Sequence, residues 1–118
     1  MDKATQMVKK NGDIGKITNQ LVDFLSQHIS VERLILFGSY VYGKPDRDSD
    51  FDIAVISDDF ERMNVLEKIK LFAKASIAVD SRIELLGFSR KDYLNPEAAS
   101  MLNMIKKKGK ILFKGAKK

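Results

Sequence analysis

The sequence contains no cysteine and only one histidine, His28, among its 118 residues. The absence of cysteine excludes disulfides, thiolate catalysis and zinc sites built on cysteine. A single histidine argues against a histidine-rich metal site and against a Ser-His-Asp triad. We expect His28 to pack near the end of a helix rather than to take part in catalysis.

Long hydrophobic runs are also absent. The densest ones, at 34–37 and 53–56, have the length of strands, whereas a membrane-spanning helix needs about 20 apolar residues. The N-terminal residues 1–13 are polar and lack the continuous apolar segment of a secretory signal. We therefore expect a cytoplasmic protein without membrane contact.

The formal net charge of +5 is unevenly distributed along the chain. Seven lysines lie after residue 100, where no acid occurs, and removing them from the 21 basic residues leaves 14 against 16 acidic ones. They are Lys106, Lys107, Lys108, Lys110, Lys114, Lys117 and Lys118. This lysine-rich tail favours solubility, and contact with nucleic acid is the alternative that it leaves open.

One domain with one core is the expected organisation, since 118 residues that are 44% hydrophobic are typical of a single domain. Apolar spacing predicts the order helix, strand, short helix, strand, helix, strand, helix, strand. The strand at 50–56 could pair antiparallel with the strand at 33–37. We expect an α/β (α+β) fold with a small mixed sheet, helices mainly on one face, and poor order at 1–13 and 115–118.

The longer helices are predicted from apolar residues at three- and four-residue steps. One is expected from Ile14 to His28. A last helix is expected after Pro96 and before Gly109. The main helix is expected to bury a face made of Phe60, Met63, Leu66, Ile69, Phe72 and Ala73.

Two aspartates, Asp50 and Asp52, are separated by one residue in a predicted strand, so their side chains share one face. Adjacent carboxylates repel each other unless a cation or proton lies between them. Oxygen ligands without Cys or His favour Mg²⁺, Mn²⁺ or Ca²⁺ over zinc. A third carboxylate is expected from a neighbouring strand, with Glu84 as the first candidate and Asp80 as the second. The structural alternative is that Asp50 caps a turn and Asp52 pairs with Arg47 or Arg82.

A glycine–serine pair ends the first predicted strand and opens the short helix. Backbone N–H groups there, with the Ser39 hydroxyl, would form a cradle for phosphate, and Gly38 permits close approach of the backbone. Gly43 permits the turn that follows. A phosphate cradle beside a magnesium-type carboxylate pair implies chemistry on a nucleoside triphosphate, in which two ions about 3.5–4 Å apart contact the attacking and leaving oxygens. Tyr40 and Tyr42 could stack on a base or pack the short helix.

The order Gly-Ser, a second glycine, then Ser-Asp-x-Asp resembles the nucleotidyltransferase superfamily of DNA polymerase beta and the kanamycin nucleotidyltransferases. The similarity extends over about residues 15–115 and is greatest to the minimal members of the superfamily. By this resemblance, the nucleotide-binding positions are Gly38, Ser39, Gly43 and Ser49. The catalytic and metal-binding positions are Asp50, Asp52 and Glu84.

The resemblance implies transfer of a nucleoside monophosphate, most plausibly AMP from ATP, to a hydroxyl acceptor, with two Mg²⁺ ions. Minimal members that resemble this chain are often antitoxins whose partner is a small all-helical HEPN protein, so that partner is the implied acceptor, and an oligomer is possible. Tyr40 and Tyr42 stand where members often have arginine, and Glu84 where aspartate is more common. These departures favour the alternative of a weak or inactive nucleotidyltransferase-fold protein that neutralises its partner by binding alone.

Overall fold

A computed structural model describes residues 3–43 and 50–115. The helices are α1 (Lys3–Leu25), α2 (Ser39–Tyr42), α3 (Val65–Ala78), α4 (Arg90–Leu94) and α5 (Met101–Lys108), with a 3-10 helix at Asp58–Arg62. The strands are β1 (Arg33–Phe37), β2 (Phe51–Ile56), β3 (Ile83–Phe88) and β4 (Lys110–Lys114). The predicted order is confirmed, and α4 and the 3-10 helix are additions to it. In the described ranges no helix combines the length and apolar character of a membrane span.

The four strands form one sheet in the order β3-β2-β1-β4. Strand β1 is antiparallel to β2 and to β4, whereas β2 and β3 are parallel. The predicted mixed sheet is therefore confirmed. The parallel pair requires a crossover connection, which α3 provides between β2 and β3.

The larger core lies on the face of the sheet that α1 and α3 cover. Alternate strand residues such as Leu34, Ile53 and Val55 point into it, because side chains alternate between the two faces of a strand. Helix α1 contributes Leu21 and Leu25, both fully buried. The backbone helix begins at Lys3, earlier than the apolar spacing from Ile14 indicates. The predicted poor order of 1–13 and 115–118 stays a prediction, and 1–2 and 116–118 lie outside the described residues.

Helix α3 begins later than predicted because a capping box fixes its start. The Asn64 side chain accepts a hydrogen bond from the Glu67 N–H at 2.8 Å, and the Glu67 side chain accepts one from the Asn64 N–H at 2.9 Å. This reciprocal pair satisfies two backbone donors at the helix start. Phe60 consequently lies in the preceding 3-10 helix rather than in α3.

The buried face of α3 also differs from the prediction. Leu71 and Ala75 face the larger core, whereas Leu66 and Ile69, both expected inside, are exposed. The prediction treated Phe60 to Ala73 as one continuous helix, whereas the 3-10 helix ends before Asn64 and α3 begins after it. The helix is therefore rotated relative to the predicted face.

A smaller core lies on the opposite face of the sheet. Its strand members are Ile35, Ala54 and Ile56, and they pack against Tyr93 of α4 and against α5. From β2, only the residues from position 54 onward belong to this cluster. The two short helices therefore leave the beginning of β2 uncovered on this face.

The lysine-rich C-terminal segment is part of the fold as far as the structure describes it. Lys106, Lys107 and Lys108 form the last turn of α5, where positive charge complements the helix dipole. The Lys106 ammonium donates to the Leu94 carbonyl at 3.2 Å and lies 5.0 Å from the centroid of the Tyr93 ring. The predicted last helix and last strand are α5 and β4, so the lysines up to Lys114 belong to these elements rather than to a tail. Residues 117 and 118 lie outside the described residues.

Candidate active site

Strands β2 and β3 hold two of the candidate carboxylates near the ends at which these strands begin. In the antiparallel pair β1–β2, Phe37 is opposite Asp52, and in the parallel pair β2–β3, Asp52 is beside Glu84. Residues in register on neighbouring strands point to the same face. Asp52 and Glu84 therefore lie side by side on the face that α4 and α5 leave uncovered.

The two carboxylates interact directly. The pKa of Asp52 is raised above its ordinary value, mainly by partial burial, then by repulsion from the Glu84 carboxylate, by a hydrogen bond with Glu84, and by repulsion from Asp50. Adjacent carboxylates repel each other unless a cation or proton lies between them, so a cation beside Asp52 and Glu84 would relieve this repulsion.

Asp50 is exposed and immediately precedes β2. It is near enough to repel Asp52, but within residues 3–43 and 50–115 no three His, Cys, Asp or Glu side chains are gathered closely enough to hold a metal ion together. The structure thus brings Asp52 and Glu84 together and leaves Asp50 at the margin. Ser49 lies outside the described residues.

Asp80, the second candidate for the third carboxylate, is occupied by Arg82. Its Oδ2 accepts from the Arg82 Nη2 at 2.8 Å, and its Oδ1 accepts from the Arg82 Nε at 3.0 Å and backbone N–H at 2.8 Å. These hydrogen bonds hold the pKa of Asp80 below its ordinary value. Arg82 also binds Asp13 at 3.3 Å, so the alternative pairing of Arg82 with Asp52 is wrong. The other alternative partner, Arg47, lies outside the described residues.

Gly38 connects the first strand to Asp52. Its backbone has φ 79° and ψ −149°, a conformation that is essentially restricted to glycine. A Cβ atom placed there would lie 2.1 Å from the Asp52 Oδ2. The backbone of the Gly-Ser pair therefore touches the carboxylate, and no residue with a side chain fits at this position.

The short helix α2 follows directly from this contact. The Val41 and Tyr42 N–H groups both donate to the Gly38 carbonyl at 3.0 Å, and the Gly43 N–H donates to the Ser39 carbonyl at 3.2 Å. Ser39 and Gly43 thus lie at the two ends of a single turn. Ser39 is adjacent to the contact between Gly38 and Asp52, whereas Gly43 is one turn away from it.

Phe51, between the two aspartates in sequence, supports the site from the opposite face. The Tyr40 ring packs on it with centroids 4.7 Å apart, and the Arg82 guanidinium lies 5.3 Å from its centroid. Tyr40 therefore packs the short helix. These contacts join α2 to the beginnings of β2 and β3, and the sequence analysis missed them because they depend on the register of three strands.

A divalent cation fits the donor set that the structure presents. The donors are carboxylate oxygens, which hard cations such as Mg²⁺ prefer. Mg²⁺ is commonly held by one or two carboxylates, with water and substrate phosphates as the other ligands. Two adjacent carboxylates beside the Gly-Ser backbone satisfy this requirement without a third protein ligand already in place.

The mixed sheet, the Gly-Ser turn and the carboxylate pair on its open face define a nucleotidyltransferase-type domain. The sequence model of the family described as Polymerase beta, Nucleotidyltransferase matches residues 19–118. The chain belongs to this family and is a nucleotidyltransferase. Among curated proteins there is no match.

Solved structures resemble the chain over most of its length. A toxin–antitoxin structure with AMP-PNP is 28% identical, with a TM-score of 0.57, and the match covers 83% of this chain and 73% of that one. A tri-AMPylated Shewanella oneidensis HEPN toxin in complex with MNT antitoxin matches at 25% identity, a TM-score of 0.53, and coverage of 84% and 71%. A Sulfolobus solfataricus protein assigned as a nucleotidyltransferase is 15% identical with a TM-score of 0.62 over 88% of this chain and 85% of that one, which shows the fold alone.

Proposed function

We propose that this chain is a Mg²⁺-dependent enzyme that transfers AMP from ATP to a hydroxyl group of a partner protein. The observation that carries the proposal is the position of Asp52, held between the Gly38 backbone and the Glu84 carboxylate. In this proposal the Gly-Ser turn binds phosphate and the carboxylate pair binds the cation, and the contact between Gly38 and Asp52 supports both roles. Nucleotidyl transfer needs both features at one point, because the triphosphate is bound and neutralised there.

Each residue of the site has a role in this proposal. Asp52 and Glu84, with Asp50 at the margin, would hold Mg²⁺, which supplies neutralisation of the phosphate charge when bound. The backbone at Gly38 and the Ser39 hydroxyl would bind the triphosphate. The acceptor oxygen would form a bond with the α-phosphorus, the bond to the β-phosphate oxygen would break, and pyrophosphate would leave. Glu84 would take the proton of the acceptor hydroxyl.

A partner protein is the acceptor that the comparisons favour. One similar structure is an AMPylated HEPN toxin with its MNT antitoxin, and another is a toxin–antitoxin structure with AMP-PNP. We infer the same pairing here, in which this chain is the cytoplasmic antitoxin and a small helical HEPN protein is its target. The nucleotide in the second structure also supports ATP as the substrate.

Calorimetric titration of ATP, with and without Mg²⁺, tests the nucleotide site. The unmodified protein should bind Mg²⁺-ATP, and Asp52→Asn should weaken binding at least about tenfold, or about 1.4 kcal/mol. The matched control is Asp23→Asn, which removes an equal charge from an exposed position on α1 and should bind as the parent does. Equal affinity of the parent and Asp52→Asn would contradict the proposal.

Neutralisation by binding alone is the second candidate function. It is favoured by the exposed position of Asp50 and by the packing of Tyr40 on Phe51, at a position where arginine is common in the resembling proteins. Co-expression with the partner toxin distinguishes the two functions. Asp52→Asn should abolish protection if transfer of AMP is required, and should leave protection intact if contact is sufficient.

A further inference from the structure

Helix α3 exposes an apolar surface to solvent. Val65 is 68% exposed, Leu66 58%, Ile69 57% and Ile77 87%. Monomeric proteins rarely expose contiguous apolar patches above a few hundred Å², and patches of that size commonly mark interaction sites. Helix α3 thus exposes four large aliphatic side chains within 14 residues.

These side chains share one face of the helix. At 3.6 residues per turn, Leu66, Ile69 and Ile77 fall on one stripe, with the exposed Ala73 between them. Leu71 and Ala75, on the opposite side, are buried in the larger core. The exposed stripe is thus a second apolar face of an already packed helix, and burial in this chain's own core does not explain it.

The free border of the stripe is basic. Lys70 and Lys74 are both exposed and follow the stripe along one side, one turn apart. The other side of the stripe turns toward the sheet at Phe72, which packs against the larger core. Glu67, the single acid of α3, is held in the capping box at the helix start. The surface offered to a partner is therefore apolar with a positive edge.

The positive edge favours a helix of another protein over a second copy of this chain as the binding partner of this surface. In an antiparallel pair of α3 helices from two copies, the same border of each helix would meet, since a two-fold interface brings identical surfaces together. Lys70 and Lys74 would then oppose the same residues of the second copy, and like charges at such borders disfavour pairing. A helix of another protein with acidic residues along its border has no such conflict and adds attraction.

We propose that the exposed face of α3 is a docking surface for an amphipathic helix whose apolar stripe is bordered by acidic residues, supplied by another protein. Helices commonly bind in this way through apolar residues at three- and four-residue spacing. The surface lies on the face of the sheet opposite Asp52 and Glu84. The inference therefore goes beyond the proposed nucleotidyl transfer and does not depend on it.

Two designed helical peptides test the proposal by fluorescence anisotropy. Both carry a leucine stripe, one bordered by glutamate and the other by lysine. The glutamate-bordered peptide should bind the full chain at least about tenfold more tightly than the lysine-bordered one, because complementary borders select partners. The double variant Lys70→Glu/Lys74→Glu should reverse this preference.

Two control variants test whether a loss of peptide binding comes from the α3 surface itself, from unfolding, or from the nucleotide site. Ile69→Ser, at an exposed position, should keep the parent's urea midpoint and lose peptide binding. Asp52→Asn should bind the peptide as the parent does even if it no longer binds ATP. Equal binding of both peptides, no reversal in the double lysine variant, or sedimentation of the free protein as a dimer that Ile69→Ser dissociates would each overturn the proposal.

Discussion

The two faces of the sheet carry different kinds of side chain. Adjacent residues of β2 illustrate the contrast: Phe51 is 1% exposed in the larger core, whereas Asp52, one position later, points to the face that α4 and α5 leave uncovered. On the first face, helices cover strands that carry aliphatic and aromatic side chains. On the second, two carboxylates occupy register positions that an ordinary core would fill with apolar groups.

In the proposed function, this difference marks where the fold would lose stability to keep activity. Like charges side by side on neighbouring strands are unfavourable, and so is a backbone restricted to glycine. Both occur at Asp52, through Glu84 and Gly38 respectively. Strained or repulsive arrangements of this kind persist where activity requires them, and removing them commonly raises stability.

The largest effect is expected in the larger core. Leu21→Ala removes a fully buried side chain of α1 and should lower the free energy of unfolding by about 3 kcal/mol, because lost burial and a residual cavity both contribute. Leu102→Ala removes a side chain of α5 from the smaller core and should cost about 2 kcal/mol, because a site nearer to solvent relaxes more easily. Urea unfolding of both variants measures the difference. A larger loss of unfolding free energy for Leu102→Ala would mean that the smaller core contributes more to stability than the larger one.

Local sequence signals located most of the strands and indicated the candidate site residues, but not the tertiary partners. Strand β1 and helix α2 begin and end where the sequence analysis placed them, because Gly38 and Gly43 bound the helix. The pairing of Asp52 with Glu84 followed from an acid in each of two predicted neighbouring strands. The ion pair of Asp80 with Arg82 was not predicted, because Arg82 was considered only as an alternative partner of Asp52.

The predicted face of α3 was wrong although a signal was present. Asn64 followed three residues later by Glu67 is the pattern of a capping box, and it marks a new helix start. The contact of Gly38 with Asp52 has no such signal, because it depends on how β1 and β2 align. Helix boundaries are thus encoded locally, whereas the closest contact of the candidate site is encoded by strand register.

A methyl group at Gly38 should disturb the site more than the core. Gly38→Ala places a carbon 2.1 Å from the Asp52 Oδ2 and forces alanine into a glycine-only conformation. We expect a loss of about 2 kcal/mol in unfolding free energy, together with loss of Mg²⁺-ATP binding at temperatures where the variant remains folded. Urea unfolding and calorimetry on the same sample measure both quantities.

Gly15→Ala is the matched control for this substitution. Gly15 lies within α1 with no atom within 4 Å of the added carbon. Alanine there should raise the unfolding free energy by about 0.8 kcal/mol, since glycine is the poorer helix former, and should leave ATP binding unchanged. Opposite signs for the two glycines would support a conformational requirement at Gly38; a gain in stability for both would contradict it.

The smallest expected effect, and the one most specific to the site, is a pH-dependent gain in the stability of the variant Asp52→Asn. Because the pKa of Asp52 is raised in the folded protein, the folded state binds more protons than the unfolded state above the ordinary value of 3.8. The resulting penalty is absent at lower pH and appears as the pH rises through the raised pKa. Asp52→Asn should therefore be more stable than the parent at pH 7, by about 0.5 kcal/mol.

The advantage of Asp52→Asn should disappear near pH 3, where the carboxyl is protonated in both states. Glu84→Gln should gain stability at pH 7 in the same direction, because it removes the same repulsion. Asp23→Asn, which changes the net charge equally, should show no gain at pH 7. Urea midpoints between pH 3 and 7 measure these differences. A gain for Asp52→Asn of the same size at both ends of this range would mean that packing at the site, rather than the carboxylate pair, limits the stability of this face.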